Sequence, residues 1–181
     1  ERPPQPDSNA VVEYAVSYIA PLLVEDKFHT YLPLARQTAV RKSYEDWKIK
    51  DAKPVNIKRK DLLKIRQGKY TVTNKLDGER FIILFNRYGI YALNNRMVDQ
   101  ISSRPSQSQS VLDVEWFEGT FYIFDCMVKN DRNLTSLPHS RRLEEANSLS
   151  KLHPDFRMKK FVPVDQTSNI LQEMVRKNND G

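Results

Sequence analysis

Between residues 69 and 128 the chain alternates short β-rich apolar runs with turn residues, and this rhythm constrains the fold more than any other feature. Runs at 69–75, 80–86, 89–94, 110–117 and 120–128 are rich in Val, Ile, Phe, Tyr and Thr, the side chains that suit a pleated surface. The breaks carry turn chemistry: Asp77-Gly78, the interval from Asn86 to Gly89, a Ser, Gln, Arg and Pro loop at 102–110, and Glu118-Gly119. Gly and Asp fill such positions because they tolerate the backbone angles that tight turns need. Helical spacing flanks this region. From Ser8, a plausible cap, Val12, Ala15, Val16, Ile19 and Leu23 recur at helical intervals until Pro21 kinks or ends the helix. Further helices are expected near Leu32 to Asp46, at 61–66, at 138–151 with Arg142, Glu144 and Glu145 on exposed faces, and at 167–177. Phe161-Val162-Pro163-Val164 adds a strand. Hairpins interleaved with helices define an α+β domain, a mainly antiparallel sheet with flanking helices.

One of the breaks carries chemistry. Tyr70, Val72 and Asn74 alternate with Thr71 and Thr73, then comes Lys75-Leu76-Asp77-Gly78-Glu79-Arg80, then the apolar run Phe81-Ile82-Ile83-Leu84-Phe85. Lys75 is therefore expected at the end of one strand, with Asp77-Gly78 as the turn into the next. Rigid elements would hold such a lysine facing a cleft. A lysine is a usable nucleophile only when desolvation or a neighbouring cation depresses its pKa, and Arg80 is close enough in sequence to help. The same residues also suit an exposed hairpin with a solvated lysine, so the surrounding motifs decide.

Those motifs come in order. Lys75-x-Asp77-Gly78-x-Arg80 is followed by Val111-Leu112-Asp113-Val114-Glu115-Trp116-Phe117, then by Phe121-Tyr122-Ile123-Phe124-Asp125 with Asn130, Leu134, Leu137-Pro138 and Arg141-Arg142 behind it. Arg96 follows the first hairpin, and the sequence ends on Asp180-Gly181. This succession resembles the motifs of the covalent nucleotidyltransferases, which comprise ATP-dependent DNA ligases, RNA ligases and GTP-dependent mRNA capping enzymes. Val114 stands where that family usually has glycine. The approach Pro54-Val55-Asn56-Ile57, Leu62-Leu63, Gly68 to Thr73 is similar to that of capping guanylyltransferases, whereas Glu79 within Asp-Gly-Glu-Arg is the form more usual in DNA ligases. The capping enzyme is preferred, possible viral multifunctional types included; the ligase is the alternative, and a catalytically inactive RNA- or protein-binding module of the same fold is the third reading. The presence of both Lys75 and Glu115 argues against that third reading.

The resemblance implies a nucleotidyltransferase domain of the ligase and capping type (ATP-grasp-like) and a two-step reaction. Lys75 would attack the α-phosphate of GTP to give lysyl-GMP, and the 5′-diphosphate end of an RNA would then take the GMP as a GpppN cap. It also implies roles for single residues. Glu115 would contact ribose or metal, Arg80 and Arg96 would hold ribose hydroxyl and phosphate, and Phe124 would stack on the base. Asp77 would fix the turn beside Lys75, Gly78 would let the backbone approach the phosphate, and Asp113, sharing a strand face with Glu115, would orient Arg80. Mg2+ or Mn2+ would be the cofactor, with Glu115 and Asp180 as metal contacts. ATP in place of GTP cannot be read from the residues, since a stacking platform accepts either purine.

With 181 residues the chain can bury one ordinary core. The expected division is a helical lead-in or the end of a preceding domain at 1–50, then a partial nucleotidyltransferase domain at 51–181 that ends where its Asp-Gly motif opens. In the family an OB-fold domain closes over this one. The resemblance therefore implies an OB domain, and triphosphatase and methyltransferase modules, in the same or a partner chain. The formal net charge of +6 suits a polyanionic partner, with basic clusters at Lys48, Lys50, Lys53, Lys58, Arg59, Lys60 and Lys64, and again at Arg157, Lys159 and Lys160. The lone Cys126 excludes an internal disulfide, and His29, His139 and His153 lack metal-ligand spacing. Nothing resembles a signal peptide, and no apolar run approaches the ~20 residues that span a membrane. An intracellular setting is expected, either cytoplasmic (viral factory or virion) or nuclear.

Overall fold

The computed structural model describes residues 32–50, 58–61, 65 and 70–164. The helix expected from Ser8, the Pro54–Ile57 approach, most of the 61–66 helix, the 167–177 helix and Asp180-Gly181 lie outside these residues. Along the described chain come α1 (Leu34–Glu45), a 3-10 turn (Arg59–Asp61), β1 (Thr71–Val72), β2 (Glu79–Asn86), β3 (Gly89–Leu93), β4 (Val98–Ser102), β5 (Ser110–Phe117), β6 (Thr120–Lys129), β7 (Arg132–Asn133), α2 (His139–Leu149) with a 3-10 turn (Ser150–Leu152), β8 (Phe156–Met158) and β9 (Val162–Pro163). The main sheet has the order β4-β3-β2-β5-β6-β7, all antiparallel, with β8 added parallel to β6. β1 and β9 form a separate antiparallel pair. The architecture is α+β with a mainly antiparallel sheet and helices against it.

Period-2 alternation on the central strands sorts the core into two layers. Phe81, Ile83 and Phe85 of β2, Leu112 and Val114 of β5, and Phe121 and Ile123 of β6 face α2, which offers Ala146 and Leu149. Phe121 sits at the centre of that layer, edge-on to Phe81 at 6.3 Å and to Phe156 at 5.8 Å. On the opposite face Ile82, Leu84, Tyr91, Leu93 and Val111 meet Leu32 and Val40 of the α1 region. β2 is apolar on both sides because both sides are covered. α1 contributes little apolar surface and is fixed by polar contacts instead. Arg41 donates to the Asn94 carbonyl at 2.7 Å, and Trp47 Nε1 donates to Gln109 Oε1 at 2.7 Å. α1 covers only part of this face, and near the start of β2 the sheet carries polar residues.

The turns explain the hairpins. Glu118 and Gly119 both have positive φ, 47° and 79°, as do Asn130 and Asp131, 50° and 61°. Two such residues in succession match the twist of the flanking strands. The second pair creates β7, which no apolar pattern announced. β4 and β8 were also not expected. β4 has only Val98 and Ile101 as apolar residues, and β8 is three residues long. Two further expectations are corrected. The strand at 69–75 shrinks to Thr71–Val72 because its partner is β9, not β2. Arg142 is not on an exposed face: its side chain is 18% exposed and forks onto Asp125, Nε to Oδ1 at 2.7 Å and Nη2 to Oδ2 at 2.8 Å.

Burial within β6, reinforced by the Asp125 carboxylate beside it, pushes the Cys126 thiol up to about 12. The thiol therefore stays protonated and inaccessible in the native sheet. A chromogenic disulfide reagent at pH 8 is expected to leave the native protein untitrated and to release one equivalent after denaturation, since Cys126 is the one cysteine of the chain. Rapid native titration would show that β6 opens at this point.

Candidate functional site

The segment carrying Lys75 is a bridge between sheets rather than a hairpin. β1 pairs with β9, Thr71 opposite Pro163 and Val72 opposite Val162. Thr73 Oγ1 donates to the Lys160 carbonyl at 2.7 Å, which pins the loop's first end. The chain then crosses through Lys75 to Gly78 and enters β2 in the main sheet. Lys75 thus follows the short strand by three residues, and the expected strand-turn-strand arrangement is replaced by this crossing. Asp77, not Gly78, takes the left-handed conformation, with φ 56°. Gly78 is required for a different reason. A Cβ there would lie 2.3 Å from the Trp116 carbonyl oxygen and 2.8 Å from Glu115 Cγ. Its lack of a side chain lets the loop lie against β5. Lys75 is 83% exposed and its ammonium pairs with the Asp77 carboxylate.

The far end of the loop is tied to the sheet by Glu115. Gly78 N–H donates to Glu115 Oε1 at 3.1 Å, and Lys159 Nζ donates to Oε2 at 2.6 Å. Beside it Arg80 forks onto Asp113, with Nε to Oδ1 at 2.8 Å and Nη2 to Oδ2 shorter still. Register puts these groups together. Arg80 lies opposite Glu115 and Ile82 opposite Asp113, so Arg80, Asp113 and Glu115 project from the face not covered by α2. Phe124 completes the floor. The Arg80 guanidinium and the Lys159 ammonium each lie 6.0 Å from the centre of its ring. Together Thr73, Gly78, Arg80, Glu115, Phe124, Lys159 and Phe161 line a cleft of about 320 Å3. Its walls present an aromatic face, two cations and one carboxylate. That set can stack a planar base, hold anionic oxygens and accept from a hydroxyl.

Arg96 belongs to a neighbouring, wider groove of about 900 Å3, with Asn94, Asn95, Glu118 and Gly119. Asp77, Gly78 and Arg80 also line this groove, so the Lys75 loop forms a ridge between the two hollows. Of the residues singled out from sequence, Gly78, Arg80, Glu115 and Phe124 share the cleft. Lys75 and Asp77 stand on the ridge, Asp113 supports Arg80 from below, Arg96 lies across the ridge, and Asp180 is outside the described residues.

The two carboxylates at the cleft, Glu115 and Asp113, are already engaged by protein donors. Glu115 is engaged by Lys159 and by the Gly78 amide, Asp113 by Arg80, and no group of three metal-ligating side chains occurs among the described residues. A cation next to Lys159 would meet like charge. Lys159 and Phe161 were missed as site residues. The sequence signal was present, as a cation and an aromatic two positions apart just before a short apolar strand, but Lys159 was absorbed into a basic run. Its side chain is in fact only 9% exposed.

A family model described as mRNA capping enzyme, catalytic domain, matches residues 36–179. The match takes in all of the strands described above and most of α1.

Asp113 is nearly inaccessible, so removing its guanidinium leaves a buried carboxylate short of donors. Arg80→Ala is expected to lower stability by about 2 kcal/mol, whereas exposed Arg96→Ala should stay within about 0.5 kcal/mol. Urea midpoints of the two variants check this. Equal shifts would show that the Arg80–Asp113 fork contributes no more than a surface charge.

Proposed function

The chain belongs to the mRNA capping enzyme catalytic-domain family and is a nucleotidyltransferase of that class; from this premise we propose that it is a guanylyltransferase working through a lysyl-GMP intermediate. One observation carries the reading. An aromatic floor, two cations and a carboxylate line one cleft, and the loop that carries Lys75 forms its border, which suits the base, phosphate, ribose and amine contacts this reaction would need. Guanine would stack on Phe124, with Arg80 and Lys159 along the ring edge and Glu115 accepting from a ribose hydroxyl. The α-phosphate would then lie toward the loop.

In the first step the Lys75 amine, freed from Asp77 and deprotonated, attacks the α-phosphorus. A P–N bond forms as the bond to the pyrophosphate oxygen breaks; pyrophosphate carries the displaced electron pair away and the amine's excess proton passes to solvent. In the second step a terminal oxygen of a 5′-diphosphate RNA attacks the same phosphorus. The P–N bond breaks, Lys75 recovers its electron pair and a proton, and GpppN leaves. Both displacements need the nucleophile in line with the leaving group, so the 83% exposed Lys75 must swing from Asp77 over the ridge. Magnesium or manganese, where present, would supply charge neutralisation at the reacting phosphate. An OB-fold domain closing over the cleft would enforce the in-line geometry, and triphosphatase activity would supply the diphosphate end.

Glu79 favours a second reading. Within Asp77-Gly78-Glu79-Arg80 its glutamate is the ligase-like choice, and its Oε1 accepts from Asn94 Nδ2 at 2.8 Å. A ligase would use ATP at the same lysine.

Incubation with α-labelled GTP and a divalent ion, followed by denaturation, is expected to leave label on the wild-type chain and none on Lys75→Ala. Lys75→Arg should fail as well, because a guanidinium keeps the charge but is no nucleophile at neutral pH. Label retained by either variant would remove Lys75 from the mechanism. Run beside labelled ATP, the same gel should favour GTP by at least about tenfold; preferential adenylylation would overturn the guanylyltransferase assignment in favour of a ligase.

A further inference from the structure

We propose that His139 is a positioning residue of the nucleotide cleft, acting by holding the backbone of the bulge that carries Phe124. The inference rests on the cleft reading above and adds a residue that no motif names. Val114 is paired with Ile123, but the residue before it in β5, Asp113, is paired with Asp125. Phe124 is therefore the extra residue of a β-bulge, with no partner opposite it on β5. A bulge re-aims the side chain it carries and interrupts the ladder locally. Here the interruption falls at the residue whose side chain is the aromatic floor of the cleft.

The interrupted ladder needs a substitute donor, since a carbonyl without a partner in a half-buried strand is costly. His139, the first residue of α2, supplies it. Its Nε2 lies 2.7 Å from the Phe124 carbonyl oxygen, and a carbonyl can only accept, so Nε2 carries the proton. The same imidazole stands edge-on to Phe161, centroids 5.0 Å apart and planes at 81°. Phe161 is the second aromatic of the cleft lining. One side chain thus touches both aromatic walls, one through its backbone and one through its ring. Three residues on, Arg142 forks onto Asp125, which fixes the strand immediately after the bulge. The first turn of α2 grips β6 at the bulge residue and at the one after it.

His139 contacts neither the ridge nor any residue placed near the α-phosphate, so its loss should alter nucleotide binding and not the chemical step. The test follows lysyl-nucleotide formation against GTP concentration for the full chain, with thermal midpoints in parallel. His139→Ala is expected to raise the GTP concentration for half-maximal labelling at least about fivefold at an unchanged maximal rate. His139→Gln, whose amide can reach the same carbonyl, should restore most of the affinity. Should the alanine variant not fold, His139→Asn, polar but too short to reach, takes its place with the same expectation. A lower thermal midpoint and lower maximal rate with unchanged half-saturation would mean a merely structural role and would overturn the inference while leaving the proposed activity intact. Absence of any adduct on the wild-type chain would instead remove the proposed activity, and this inference with it.

Discussion

The register between β2 and β5 governs the positions of the groups around the cleft. Glu79 to Phe85 runs against Trp116 to Ser110 without a break, placing Arg80 opposite Glu115 and Ile82 opposite Asp113. A slip of one residue would turn Arg80 toward Phe121 and α2, and would carry Phe81 and Ile83 into the cleft. The apolar residues on the α2 side prevent this, because every one of them would lose its burial together. The chemistry of one face is thus held in place by the packing of the other. Gly78 extends the same constraint into the loop, since only a residue without a Cβ can follow β5 so closely.

Three ion pairs then join elements that lie far apart in sequence: Arg80 with Asp113, Lys159 with Glu115, and Arg142 with Asp125. Pairs of this kind add little net stability, because desolvation cancels most of the attraction. Their value here is geometric. A planar guanidinium on a carboxylate fixes orientation as well as distance. Each of the three has its carboxylate on β5 or β6, so these two strands are the reference against which β2, the segment after β8 and α2 are aligned.

Much of this was legible in the residues, and what was not has identifiable causes. Strands β2, β3, β5 and β6 announce themselves through their apolar residues, continuous in β2 and β3 and interrupted at Asp113, Glu115 and Asp125 in β5 and β6. β4 does not, since it holds two apolar residues and a buried Asp99. The partner of β1 was invisible because Thr73 reaches a carbonyl 87 residues later, and no local pattern encodes such a pairing. Taken as the end of a longer strand, Lys75 seemed to sit in a hairpin. The cleft residues Gly78, Arg80, Glu115 and Phe124 were legible from their motifs. Lys159 was not, because sequence does not say which lysine of a basic run lies under the sheet edge. The bulge at Phe124 escaped for a related reason: an extra residue is defined only against the strand it fails to pair with.

The pairing of β1 with β9 gives the molecule an order of assembly. During synthesis the motif lysine emerges before β2 to β6, whose hairpins connect neighbours in sequence and close quickly. The strand that anchors the approach to Lys75 is made last among the described elements, and a domain grows from its N-terminal end at a rate set by the ribosome. Until Val162 and Pro163 leave the exit tunnel, the main sheet can be complete while the lysine segment has no second edge to lean on. The Lys75 amine therefore gains its neighbourhood only when nearly all of the described chain has been made.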